Sequence, residues 1–231
     1  MWARRNRRLK TTMQLYTFFR SGTAHRLRIA LNLKGLTVDH LPVDLRVDAQ
    51  LLPAYRALNP QALLPALVLD GAQGAPAGTV LIQSPAILEW LDETHPTPPL
   101  LPGGALGRAR VRALAAIVGC DIHPVNNRRI LQALRKDYGA TEPAINTWCG
   151  GWISDGFDAL EALLAADAQR GAFCFGNTPT LADVYLVPQV ESARRFQVDI
   201  QRWPRIAAVD ATCAALPAFQ QAAPVNQPDA G

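Results

Sequence analysis

The chain has 231 residues, of which 49% are apolar and 18% charged, and its formal net charge is +4. That composition excludes a disordered chain, and the length allows one large domain or two small ones, each with its own core. Much of the excess charge sits in Arg4, Arg5, Arg7, Arg8 and Lys10, so the body is near neutral and gives no reason to expect a nucleic-acid partner. No long apolar stretch follows the basic run, so it is not a secretory signal, and no segment is long and apolar enough to cross a membrane. Residues 1–12 read as a disordered basic tail, with Met13 the expected functional start.

A strand is predicted from Gln14 to Phe18, rich in Tyr and Phe. The polar turn Arg20-Ser21-Gly22-Thr23 then opens a helix running to Lys34, with Gly35 at its C′ position. His40 to Val43 reads as a second strand, which gives a βαβ unit and a parallel pair. Leu51 to Leu58 is a short helix. Ala66 to Asp70 and Val80 to Ile82 are two further strands, joined by a mobile Gly/Ala/Pro loop over residues 71–78. Gln83-Ser84 opens the next helix, through Leu91, with Ser84 as N-cap and Pro85 at the first helical position.

Residues 96–104 are rich in Pro and Gly and mark a linker between an α/β domain over 13–95 and an all-helical domain over 105–231. Helices are predicted from Leu106 to Cys120, Ile130 to Tyr138, Ala144 to Leu164 and Leu181 to Arg195. Thr180 and Asp183 have capping-box spacing at the start of the last of these. Cys120, Cys149, Cys174 and Cys213 show neither CxxC spacing nor a His partner at zinc-site spacing. They read as reduced thiols of a cytoplasmic protein with no metal site.

Four ordered blocks carry a resemblance. Residues 20–31, Arg-Ser-Gly-Thr-Ala-His-Arg-Leu-Arg-Ile-Ala-Leu, resemble the zeta-class glutathione transferase signature Ser-Ser-Cys-x-x-Arg-x-Arg-Ile-Ala-Leu. Asn59-Pro60 with Leu64-Pro65-Ala66-Leu67, then Gln83-Ser84 with Ala86-Ile87, resemble the next two blocks. Gly119-Cys120-Asp121-Ile122-His123-Pro124, with Asn126-Asn127-Arg128, resembles the fourth. The Ser-Gly-Thr-x-His-Arg variant is similar to that of the bacterial maleylpyruvate isomerases, within the maleylacetoacetate isomerase family. The resemblance implies a thioredoxin-like domain followed by a helical bundle, glutathione as cofactor, a small dicarboxylate as substrate, and a homodimer.

It also implies roles. Ser21 and Thr23 sit at a helix N-terminus, where free N–H groups and the helix dipole favour a thiolate and lower its pKa. Thr23 stands where the family has Cys. Leu64-Pro65 resembles the family's cis-proline turn, which presents backbone to the extended glutathione chain. Gln83 and Ser84 suit the γ-glutamyl carboxylate, Gln61 and Gln50 the glycyl end, with Gln50 a departure from the usual His. His123 and Asn127 reach the cofactor across the domain gap. Arg20, Arg129 and Arg195 are expected around the diacid, because a guanidinium fork pairs two-pronged with a carboxylate. Arg20 is assigned to the developing enolate.

Ordinary readings stand beside these. Ser21, Thr23 and Ser84 could be plain N-caps, Pro65 a trans loop proline, and His123 a structural hydrogen-bonding residue. One arginine in each of the pairs 128/129 and 194/195 is expected on a solvated helix face. The rival functions are a glutathione transferase acting on 2-halo acids or other electrophiles, and a non-catalytic binding protein of the same fold.

Overall fold

A computed structural model describes residues 12–72, 74–168 and 170–230. The basic run and most of the predicted tail lie outside the described residues. Strand β1 (Gln14–Thr17) leads into helix α1 (Gly22–Leu33), and strand β2 (Asp39–Pro42) returns parallel to β1. Short helix α2 (Pro53–Leu58) precedes the antiparallel pair β3 (Ala66–Val68) and β4 (Val80–Ile82), with Ala66 opposite Ile82. The sheet order is β2-β1-β3-β4, and Tyr16 faces Ala66 across the antiparallel β1–β3 ladder. Helix α3 (Ser84–Thr94) closes this half.

The helical half contains α4 (Ala105–Ala116), α5 (Arg128–Tyr138), α6 (Glu142–Ala166), α7 (Leu181–Arg195), α8 (Pro204–Ala214) and α9 (Pro217–Ala222). The predicted helix from Leu106 to Cys120 is instead α4 followed by a wider turn, Ile117–Ile122, where His123 N–H donates to the Val118 carbonyl five residues back. Gly156 of α6 lies against that turn; a Cβ there would sit 2.3 Å from Ile122 Cδ1. Helices α8 and α9 were not predicted. Each begins with a proline at its first turn, which in sequence reads as loop punctuation, and α9 has only six residues.

Helix α1 is the centre of the molecule. It ends as expected: Gly35, at φ +64°, and Leu36 hook back to the Asn32 and Leu31 carbonyls. Every residue from Ala24 to Leu31 is buried, because α3, α7 and α9 all pack on it in addition to the sheet. That burial includes His25, Arg26 and Arg28. Arg28 pins three segments together. It donates to the Ala222 carbonyl at 3.0 Å, Thr17 Oγ1 at 3.1 Å, and the Phe18 and Phe19 carbonyls at 3.3 and 2.9 Å.

At the start of α7, the Asp183 carboxylate accepts from Thr180 N–H at 2.7 Å, Thr180 Oγ1 at 2.9 Å and Cys174 N–H at 2.8 Å. This is the predicted capping box, and it also fixes the preceding loop. Since α1 packs on α7, one apolar cluster continues through both halves, from Leu15 and Leu67 to Phe157 and Trp203.

Candidate active site

Two adjoining cavities lie where the halves meet. The larger, about 820 Å³, is lined by Ser21, Thr23, Gln50, Gln61, Leu64, Pro65, Gln83 and Ser84 from the first half. His123, Asn127, Arg129 and Arg195 line it from the second, and Arg20 borders it at the turn before α1. Every residue singled out in the sequence therefore borders one space.

The turn before α1 sets the chemistry. Ser21 Oγ accepts from Ala24 N–H at 3.3 Å and lies 3.0 Å from Thr23 Oγ1. Thr23 Oγ1 donates to the Leu64 carbonyl at 3.0 Å, so the carbonyl expected to face outward already has a donor inside the site. Leu64–Pro65 is cis. The loop before it is held by Tyr55 Oη and Asn59 Nδ2, each donating to the Leu63 carbonyl at 2.7 Å. No acidic residue occupies the first turn of α1, so its N-terminal field is open to an anion.

The start of α3 corrects one expectation. The N-cap is Gln83, held at φ +69°, and Ser84 is the first helical residue. An N-cap Ser usually has extended backbone and accepts from its own helix. Here the left-handed turn at Gln83 places Ser84 inside the first turn, 3% exposed. Gln83 Nε2 donates to Gln61 Oε1. Gln50 is 6% exposed; its Nε2 donates to Asp48 Oδ1 at 3.1 Å while its buried Oε1 has no partner.

The arginines of each pair differ in their partners rather than in a simple split between cavity and solvent: Arg128 and Arg129 both line the larger cavity, and Arg194 and Arg195 are both exposed. Arg128 Nη1 bonds Asp48 Oδ1 at 2.6 Å and ties the halves together, whereas Arg129 is exposed at the cleft wall. Arg194 is paired with Asp210, whereas Arg195 borders both cavities. Asn127 caps α5 through Arg129 N–H at 3.2 Å.

The inner cavity, about 490 Å³, is lined by Arg20, Arg26, Arg195, His25, His123 and Gln189, with Glu191 the carboxylate on its wall. Pro224, Val225 and Ala230 also line it, and Asp229 Oδ2 accepts from Phe19 N–H at 2.9 Å, which holds that tail beside Arg20. Burial, then the charges of Arg26 and Arg195, push the His123 pKa down to about 3, so its imidazole is neutral near pH 7. Burial and the charge of Arg20 lower Arg195. Arg26, Gln189 and the C-terminal tail received no role from sequence. The one available signal was the place of Arg26 within the block over residues 20–31.

These features are a thioredoxin-like βαβ unit, a cis-proline edge and a helix N-terminus facing a helical half. Family models for the glutathione S-transferase N-terminal and C-terminal domains match residues 20–94 and 153–209. A maleylpyruvate isomerase from Ralstonia sp. is 66% identical over 217 residues, covering 94% of this chain and 99% of the relative. The holo structure of a maleylpyruvate isomerase, a bacterial glutathione S-transferase of the zeta class, superposes with a TM-score of 0.89 at 65% identity, covering 94% of this chain and all of that one. A maleylacetoacetate isomerase from Anaeromyxobacter dehalogenans, with glutathione bound in its active site, superposes at 0.84 with 43% identity over 95% of this chain and 98% of its own. Site architecture and relatedness agree over nearly the whole length, and the chain belongs to the zeta-class glutathione S-transferase family of maleylpyruvate and maleylacetoacetate isomerases.

Proposed function

We propose that the two adjoining cavities serve one reaction, the glutathione-dependent cis–trans isomerisation of a maleyl diacid, maleylpyruvate or maleylacetoacetate. The observation that carries this reading is that Arg20, Ser21, Arg26, His123 and Arg195 border both spaces. The larger has room and backbone edges for a tripeptide; the smaller is rich in arginine.

The residues present fit glutathione. The unpartnered Gln50 Oε1 is a buried acceptor awaiting an N–H. The first turn of α3, with no acidic residue, suits the γ-glutamyl carboxylate at Gln83 and Ser84. Leu64 and Pro65 would run along the peptide, Gln61 and Gln50 would take the glycyl end, and His123 and Asn127 would close from the helical half. Glutathione, when bound, supplies the thiolate that adds reversibly to the cis double bond and so lets that bond rotate.

The chain's own residues do the rest. The α1 N-terminus and Ser21 Oγ hold negative charge on sulfur in place of a protonated thiol. Thr23 contributes a hydroxyl and no thiol of its own. Arg20, Arg129 and Arg195 orient the diacid, and Arg20 stabilises the charge that develops on the ketone oxygen, a contact of the kind that is worth about 3–4 kcal/mol in the transition state. His123, uncharged, serves as a hydrogen-bonding group. The chain works as a homodimer in the cytoplasm: Val47, Leu51 and Leu52 form an exposed apolar patch suited to a second copy, and the four cysteines are free thiols.

The test is kcat and KM for Arg20→Lys, Arg129→Lys and Arg195→Lys with maleylpyruvate and with a neutral aryl halide. Lysine keeps the charge and loses the fork. We expect KM for the diacid to rise in each, kcat to fall as well for Arg20→Lys, and glutathione affinity to hold. Three variants that handle the diacid like the parent would overturn the reading.

A further inference from the structure

Arg26 is 2% exposed, yet it borders both cavities. Its guanidinium lies 4.1 Å from the centre of the Tyr185 ring, and its Nε is buried without a hydrogen-bond partner. Among the described residues no carboxylate pairs with it. Tyr185 itself fits there because Gly119 faces it; a Cβ on Gly119 would lie 2.8 Å from Tyr185 Cε1. Burial brings the Arg26 pKa down to about 10, so the side chain remains charged near pH 7. A buried cation without a counter-charge is costly, and that cost is removed when an anion binds.

Arg26 is not alone in this. Gln189, 3% exposed, has a buried amide Nε2 with no partner, and His25, 4% exposed, has a buried Nε2 with none. Both line the inner cavity beside Arg26. Three residues on α1 and α7 that line one small space thus each hold a buried nitrogen with no hydrogen-bond partner. Burial, and then the charge of Arg28, hold His25 at a pKa of about 3, so its ring is neutral and can turn an N–H inward in one tautomer.

We propose that Arg26, Gln189 and His25 form a subsite in the inner cavity for the carboxylate of the substrate farther from the reacting double bond. This rests on the diacid reading above and adds to it the residues that read the far end. A maleyl compound carries one carboxylate on its double bond, which the thiolate attacks beside Ser21. Its other end must extend away from that point, and the inner cavity is the space that adjoins the turn on that side. Arg20, Arg26 and Arg195 border both cavities, and of the three Arg26 is the one on α1.

The experiment compares maleylpyruvate, which ends in a carboxylate, with maleylacetone, which has the same maleyl head and ends in a methyl ketone. The variants are Arg26→Met and Gln189→Leu, each assayed for KM and kcat, with glutathione affinity read by calorimetry. The expected result is that the parent favours maleylpyruvate, that KM for it rises at least tenfold in Arg26→Met and severalfold in Gln189→Leu, and that maleylacetone and glutathione are handled as before. Equal losses on both substrates, or no change on either, would overturn the subsite while leaving the isomerase intact. Should Arg26→Met fail to fold, the same split in Gln189→Leu decides the question. A parent enzyme that isomerises neither compound contradicts the functional reading itself, and the subsite falls with it.

Discussion

Two faces of helix α1 carry buried arginines two residues apart, and they are held in opposite ways. Arg28, on the face toward β1 and α9, donates to three backbone carbonyls and a threonine hydroxyl. Arg26, on the face toward α7 and the cavities, stacks on one aromatic ring and has no carboxylate. Both are 2% exposed. Burial alone therefore does not separate the two; the difference lies in how many acceptors each guanidinium already meets. The same contrast runs through the site. The side proposed for glutathione is built from backbone, helix ends and a cis-proline edge, and the side proposed for the diacid from long cationic side chains.

The largest expected effect tests that contrast on stability. Arg28→Met leaves the Ala222, Phe18 and Phe19 carbonyls short of a donor in the interior, and we expect a loss of about 3–5 kcal/mol. Arg26→Met gives up the Tyr185 contact alone and removes a buried charge that has no carboxylate partner, so stability should stay within about 1 kcal/mol of the parent. Urea unfolding of the two variants measures both. Equal losses would break the comparison.

A smaller effect concerns pH. His25 and His123 are held at pKa values of about 3, against 6.5 in an open chain. Above pH 6.5 both are neutral, folded or unfolded, and contribute no pH dependence. Between 6.5 and about 3 only the unfolded chain takes up the protons, so stability falls as the pH drops through that window. Melting temperature against pH should decline below 6.5, and replacing both histidines by Asn should flatten that part of the slope. An unchanged slope would mean that the two rings are not held neutral. Within the same window the contrast sharpens further. Arg28→Met should raise the His25 pKa and Arg26→Met that of His123, each by removing the neighbouring charge, as read by NMR titration.

Much of this was legible in the sequence because local chemistry fixes it. Ser21 caps α1, Gly35 ends it in a left-handed hook, and Thr180 with Asp183 starts α7; each is a short-range pattern that tertiary packing did not override. The family blocks led to the residues that border the cleft. Three features were not legible. Gln83, not Ser84, caps α3, because a left-handed non-glycine residue leaves no mark in the sequence. Helices α8 and α9 open on proline, and α9 is short. Arg26 differs from Arg28 through its partners, Tyr185 on α7 for one and Ala222, Thr17, Phe18 and Phe19 for the other, and no pattern within α1 reports those.

The central claim is that glutathione acts as a cofactor that is returned unchanged, on a substrate with a carboxylate at each end. The most direct measurement is turnover of maleylpyruvate and of maleylacetoacetate, side by side, with glutathione limiting and its free thiol followed throughout. The account predicts many trans products per glutathione with the thiol concentration constant at the end. One product per glutathione, with the thiol consumed, would contradict it and make the enzyme a transferase.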